Sequence, residues 1–320
     1  MRKTRLAALC ALLLLSGAPV RADNAVDAHL LAAKEAAGFE YTGTLVRTCI
    51  APAFAVGTGP RGVIPARDTW HAEPVKMFDN LYFIGTKVHS SWALKGSDGI
   101  IVIDTLFNYA VEDEMVSGLK KLHLDPRQVK YVIVSHAHSD HDEGARLFQD
   151  RYGAHVVMGT ADWDGLDKAA DIPGGKPKRD IEGRDGQVIT LGDISVTLVS
   201  TPGHTPGTLS MIFTAKDHGK PVTIAYSGGT AIATIYKSAD RLDTYVQSQR
   251  HMAELAAAAN ATILMTNHSE FDGAYTKSLL IKARGKGQPH PYVVGSESVG
   301  RYFKLLEECA QAAKARLAAQ

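Results

Sequence analysis

Within six residues, His136-Ala137-His138-Ser139-Asp140-His141, the sequence gathers three imidazoles and a carboxylate. These are the donors zinc takes when no thiolate is offered, and no cysteine lies near them. Structural zinc sites are closed, four-coordinate and usually cysteine-rich, whereas a catalytic zinc takes three protein ligands and keeps one position open. Spacing divides the four donors into two sets. If Tyr131 to Ser135 is a buried strand, alternation just past its end points His136 and His138 the same way, toward one ion. Asp140 and His141 come two residues later, where the chain should turn into a helix carrying Ala145, Leu147 and Phe148, so they face a second ion beside the first. The chemistry such a pair supports is hydrolysis: two zinc ions lower the pKa of a bound water from about 15.7 toward about 7 and stabilise charge developing on a carbonyl oxygen and a leaving group.

The elements that must hold these residues are legible in outline. Leu81 to Thr86, Trp92 to Lys95 and Ile100 to Asp104 pattern as strands joined by glycine turns, and Val111 to Leu124 has a helical period ending before Pro126. After the Tyr131 strand come a helix from about Glu143 to Tyr152, a strand at His155 to Met158 and a helix near Ala161 to Ala170. Asp171 to Gly186 is polar, with Gly174 to Arg179 expected as a solvated loop. The second half repeats the rhythm, with strands near Val188 to Leu191, Ile194 to Ser200, Thr208 to Thr214 and Val222 to Tyr226. Helices follow at about Ala239 to Asn260, Tyr275 to Ala283 and Ser298 to Ala318. Strands in two clusters, with helices between and after them, predict an α/β fold of two packed sheets with helices outside and argue against one regularly crossed parallel sheet.

The chain ends speak to compartment. Residues 1–22 combine a basic start (Arg2, Lys3, Arg5), an apolar run from Leu6 to Leu15 and small or helix-breaking residues up to Ala22, the pattern of a secretory signal peptide. The apolar core is too short to span a bilayer, and Cys10 sits inside it. Cleavage after Ala22 leaves a soluble protein in the periplasm or the medium, with no membrane attachment. It also removes four basic and no acidic residues, leaving 31 basic against 34 acidic and a formal charge of −3, which gives no reason to expect a nucleic-acid partner. Residues 23–74 pattern loosely, as an N-terminal extension with a helix over Ala25 to Ala37, and 75–320 form the main domain with its C-terminal helix. Gly57, Gly59 and Gly62 match a dinucleotide fingerprint by spacing, but no strand precedes them and Pro60 breaks the helix that should follow, so the segment is a loop. Cys49 and Cys309 remain after cleavage. An oxidising compartment permits a disulfide between them, and two buried or free thiols are the alternative. The subunit count is not legible.

A two-metal site needs more donors, and two histidines occupy loop positions at strand ends. His204 lies in the turn-rich segment from Thr201 to Gly207, and His268 follows the apolar Ala261 to Leu264. Asp104, at the end of an apolar strand, is either an acceptor for a ligand histidine's outer ring nitrogen or a turn-forming aspartate before Thr105. Taken together, the His136 to His141 run, the Thr201-Pro-Gly-His204-Thr-Pro-Gly207 segment, Asp104 and the late His268 resemble the metallo-β-lactamase superfamily over roughly residues 75 to 290. The resemblance implies a four-layer αββα sandwich of two mixed β-sheets packed face to face. It further implies a first zinc on His136, His138 and His204 and a second on Asp140, His141 and His268, with Asp140 also orienting the nucleophile. The bridging aspartate of many superfamily hydrolases is missing, since the corresponding strand ends in Ser227-Gly-Gly-Thr230. The pattern is therefore similar to the third subclass of metallo-β-lactamases, whose members are exported. It implies an exported dizinc hydrolase that uses a metal-bound hydroxide to open a small cyclic amide, with β-lactam antibiotics as the substrates and antibiotic resistance as the role. Where those lactamases present serine hydroxyls after the strand, this chain has Gly228, Gly229 and Thr230, and Asp142 and Glu143 replace small residues. The alternative is a metallohydrolase of the same fold acting on another ester, lactone or thioester with little lactamase activity. His89, Tyr226 and Thr230 are the candidate substrate contacts, His89 because the loop before its strand overhangs the pocket in the resembling family.

Overall fold

A computed structural model describes residues 21–50 and 63–319. The expected signal peptide lies almost wholly outside these residues, as does the Gly57 to Gly62 segment. Twelve strands form two sheets among the described residues. The first contains β1 (Val75–Lys76), β2 (Leu81–Phe83), β3 (Trp92–Lys95), β4 (Ile100–Ile103), β5 (Val129–Ile133), β6 (His155–Gly159) and β7 (Ile181–Gly183), in that spatial order. Its first three pairings are antiparallel and its last three parallel. The second contains β8 (Val188–Leu191), β9 (Ile194–Ser200), β10 (Leu209–Asp217), β11 (Lys220–Ser227) and β12 (Ile263–Thr266), ordered β12-β11-β10-β9-β8, with only β11–β12 parallel. Both sheets are thus mixed.

Alternation along the strands explains the layering. In β4, Ile101 and Ile103 face the space between the sheets, while Ile100 and Val102 face the outer helices. A strand covered on both faces is apolar throughout, which is why β4 is an unbroken Ile-Ile-Val-Ile. The inter-sheet core joins Phe83, Trp92, Ile133 and Val157 of the first sheet to Val196, Met211, Phe213 and Tyr226 of the second. On the first sheet's outer face lie α2 (Ala145–Tyr152), α3 (Thr160–Lys168) and the helical turns between Asn108 and Lys121, contributing Phe148, Trp163 and Leu119. On the second lie α1 (Arg21–Ala37), α4 (Ala239–Ala258) and α6 (Ser296–Ala318), with α5 (Ala274–Ala283) preceding α6. Leu242, Tyr245, Val246, Phe303 and Leu306 supply that layer's apolar face. The result is the αββα sandwich.

Two details differ from the sequence reading. The polar stretch from Asp171 to Gly186, in which no strand is read from the sequence, contains β7, an edge strand of only Ile-Glu-Gly, too short and too polar to show a period. The helix expected over Val111 to Leu124 stops at Lys121 and passes through π-helical turns at Val111–Val116. Cys49 and Cys309 form a disulfide across 260 residues of sequence, fastening the Val46–Ile50 turn to α6.

Candidate metal centre

All the candidate donors come from loops at one edge of the sandwich, where β4, β5, β9, β11 and β12 end. Asp104 directly follows β4, with a left-handed backbone (φ 60°) that turns its side chain back under the β5 loop. His136 follows β5 after two further buried residues, Val134 and Ser135, and Ser139–Asp142 forms a short helical turn with His138 at its N-terminal edge. His204 sits between β9 and β10, and His268 lies two residues past β12.

Three imidazoles make the first cluster. His136 Nε2, His138 Nδ1 and His204 Nε2 stand 3.0 to 3.1 Å from one another. The outer nitrogens of two of these rings face backbone carbonyls: His136 Nδ1 donates to Gly228 O at 2.9 Å, and His204 Nδ1 to Ala231 O at 2.6 Å. That places the proton on Nδ1 and aims the Nε2 lone pair inward. Burial, reinforced by the neighbouring imidazoles, pushes His136 well below the ordinary histidine range and His204 down to about 3, so both are neutral, the form that ligates. Mutually facing lone pairs repel unless a cation sits among them. Donors spaced near 3.1 Å suit an ion held at about 2.0–2.1 Å from each, the zinc–nitrogen distance. The residues fit the group.

The second cluster is built differently. His141 Nε2, His268 Nε2 and Asp140 Oδ2 form another triangle, with 3.1 Å on each side. Burial alone would depress the His141 imidazole, but Asp140 and Asp104 outweigh it and hold it up at about 10. Burial likewise works against the Asp140 carboxylate, and His141 and His268 overcome it, holding the group well below the usual range. The negative charge that keeps a proton on His141 would equally hold a divalent cation in its place.

Asp104 forms the turn, and its fully buried carboxylate accepts from Ser135 N (2.7 Å), Ser135 Oγ (2.9 Å) and Tyr226 Oη (2.9 Å). Oδ2 also approaches His141 Nδ1 at 3.2 Å, off the axis of a hydrogen bond. Two of the candidate substrate contacts are corrected. Tyr226 is fully buried in the inter-sheet core with its hydroxyl on Asp104, because alternation along β11 turns it inward. Thr230 is buried too, its hydroxyl 2.7 Å from Tyr302 Oη of α6. His89 stands beside the second triangle, with Nε2 3.6 Å from Asp140 Oδ2. Gly228 and Gly229 are glycines for a steric reason: a Cβ at 228 would run into the Leu209 carbonyl, and one at 229 would come within 2.8 Å of the His204 Cβ.

Three supporting residues carried no signal in the sequence. Asp162 of α3 accepts from Ala137 N (2.8 Å), Thr205 Oγ1 (2.7 Å) and Gly207 N (2.8 Å), locking the His136–His138 loop to the His204 loop. Arg241 Nη2 donates to the carbonyls of Gly203 and His204. Asn267 Nδ2 donates to Gly228 O at 2.8 Å, the same carbonyl that orients His136.

The fold and the paired donor triangles define an αββα hydrolase with a candidate two-metal site. The sequence profile described as the Metallo-beta-lactamase superfamily matches residues 84–217, and the chain is similar to that superfamily over this region. Among solved structures it is similar to BJP-1, a subclass B3 metallo-β-lactamase of Bradyrhizobium japonicum, at 27% identity and a TM-score of 0.66, covering 78% of this chain and 97% of that one. FEZ-1 from Legionella gormanii shares the fold, at 23% identity and a TM-score of 0.62, over 72% of this chain and 91% of that one. Curated relatives point elsewhere. The hydroxyacylglutathione hydrolase of Acidiphilium cryptum is 34% identical over 27% of this chain and 31% of its own length. The N-acyl homoserine lactonase AttM of Agrobacterium fabrum is 33% identical over 30% of this chain and 40% of its own length. The chain thus spans less than half the length of either.

Proposed function

We propose that this chain is an exported dizinc hydrolase that opens β-lactam rings. Its first zinc would be held by His136, His138 and His204 and its second by Asp140, His141 and His268. When bound, such a pair supplies an activated water and an electrophile for a carbonyl oxygen at neutral pH. The observation that carries the reading is the pair of 3.1 Å donor triangles without a carboxylate between them. Among the described residues, the end of β11 and the turn after it, Ser227 to Thr230, offer none. The near full-length structural similarity to a subclass B3 enzyme supports the same substrate class. Asp140 turns Oδ2 to the two histidines, leaving Oδ1 to accept a hydrogen bond from the attacking water and fix its direction. Asp104 holds Ser135, and through it the start of the ligand loop, while the Gly228 and Ala231 carbonyls keep two imidazoles in the ligating tautomer. Export is supported by the N-terminal pattern and by the Cys49–Cys309 disulfide, a bond favoured in oxidising compartments.

One observation favours a second reading, a lactone or thioester hydrolase of the same fold. No hydroxyl of Gly228 to Thr230 is turned toward the metal donors, since Thr230 spends its own on Tyr302. The test assays purified protein on a chromogenic cephalosporin, an N-acyl homoserine lactone and an S-acyl glutathione, before and after chelation. Chelator-sensitive cephalosporin turnover is expected; turnover of the lactone or thioester alone would transfer the assignment to the second reading.

A further inference from the structure

His89 is outside the donor set assigned to the second zinc, yet its ring is built into that site's wall. Residues 89 and 268 form an antiparallel bridge, with Ser90 N donating to Asn267 O at 2.9 Å and Ser269 N to Val88 O at 2.7 Å. The two imidazoles therefore leave adjacent backbones side by side, with ring centroids 5.0 Å apart. The turn beneath His89 is fixed as well. Thr86 Oγ1 accepts from Val88 N and His89 N, and a Cβ at Gly85 would come within 2.6 Å of His89 O and Ser91 N, so the turn closes only over glycine. Phe107 packs edge-on against the ring at 5.1 Å. No hydrogen bond to another described residue engages the ring nitrogens. Nε2 is 3.6 Å from Asp140 Oδ2, and the donor atoms of His89, Asp140 and His268 all lie within 4.8 Å of one another.

We infer that His89 is a fourth protein donor of the second metal, through Nε2. The inference rests on the dizinc reading above. The Asp140–His141–His268 triangle is one face of a coordination tetrahedron, and for an ion about 2.0–2.1 Å from each donor the fourth corner lies about 3.3 Å from the other three. His89 Nε2 is 3.6 Å from Asp140 Oδ2, and its ring centroid lies 5.0 Å from that of His268 and 6.4 Å from that of His141, so the ring must turn toward the ion to take that corner. The two sites then differ in kind. The first keeps the open, three-histidine form of a catalytic site, while the second has the complete four-donor shell of a closed one and is the tighter of the two.

Chelator-stripped protein refilled with Zn2+ against a chromophoric competitor gives two stepwise affinities, and refilling with Co2+ gives an absorption spectrum for each site. In both His89→Ala and His89→Gln, the affinity of one equivalent should fall by about tenfold or more, at least the loss seen when an outer partner of a metal ligand is removed. The Co2+ spectrum of that site should change while the other affinity stays put. Added imidazole should restore the lost affinity in His89→Ala. Unchanged affinities and spectra in both variants would overturn the inference and leave the dizinc reading standing. Equal weakening of both equivalents would also overturn it, assigning His89 to the fold. A parent chain that binds neither Zn2+ nor Co2+ would instead sink the dizinc reading itself.

Discussion

The two donor triangles have nearly identical dimensions and opposite electrostatics. Around the first, backbone carbonyls at Gly228 and Ala231 set the tautomers of buried, neutral imidazoles, and no carboxylate takes part in the triangle. Around the second, Asp140 belongs to the triangle and Asp104 stands behind His141, so a buried negative charge awaits compensation. The first is organised by hydrogen bonding and the second by charge. Neutral donors already aimed inward make affinity depend on geometry, whereas a charged cluster tolerates small displacements but exchanges its proton for its cation.

The largest expected effect that separates them is His204→Ala. It should remove one zinc per chain and reduce hydrolysis to background while the second equivalent stays bound; full turnover in the variant would reject the assignment of His204. Next, Asp162→Ala should weaken only the first equivalent, by about 10–100-fold, because the carboxylate ties together the two loops that carry the three histidines. Stepwise zinc titration reads this, and an equal loss at both sites would break the proposed independence. The pH dependence sharpens the contrast further. His141 in the metal-free protein keeps its proton up to about pH 10, so binding of the second ion must expel it. Second-site affinity should therefore rise with pH by up to about tenfold per unit and flatten above pH 10. His204, depressed to about 3, is already neutral, so first-site affinity should be flat between pH 6 and 9. Calorimetry in buffers of different ionisation enthalpy counts the protons released at each step. The smallest effect on either site should come from Cys309→Ser. Losing the disulfide should cost about 2–4 kcal/mol of stability, visible in denaturant unfolding, with both zinc affinities unchanged.

The sequence made the local half of this site legible and left the long-range half obscure. His136, His138, Asp140 and His141 lie within six residues, so strand alternation and the following helical turn were enough to sort them. His204 and His268 offered only their positions at strand ends, and it took the family resemblance to join them to the run. Asp162, Arg241 and Asn267 carry no pattern, since a lone polar residue on a helix or in a loop gains meaning only from contacts made across 25 or more residues of sequence. Tyr226 and Thr230 went astray because proximity to the site along the chain says nothing about direction. The period of β11 turns Tyr226 into the inter-sheet core, and the chain after it turns Thr230 toward α6. For the fold, the unbroken apolar β4 and the alternating seven-residue β9 were legible, while β7, with three residues and one large apolar side chain, was not.

The central claim is that three separate stretches of chain converge to hold two cations. Elemental analysis of the purified, dialysed protein tests it most directly. Two equivalents of zinc per chain are expected, and a protein that retains no transition metal after zinc has been supplied would overturn the two-metal assignment.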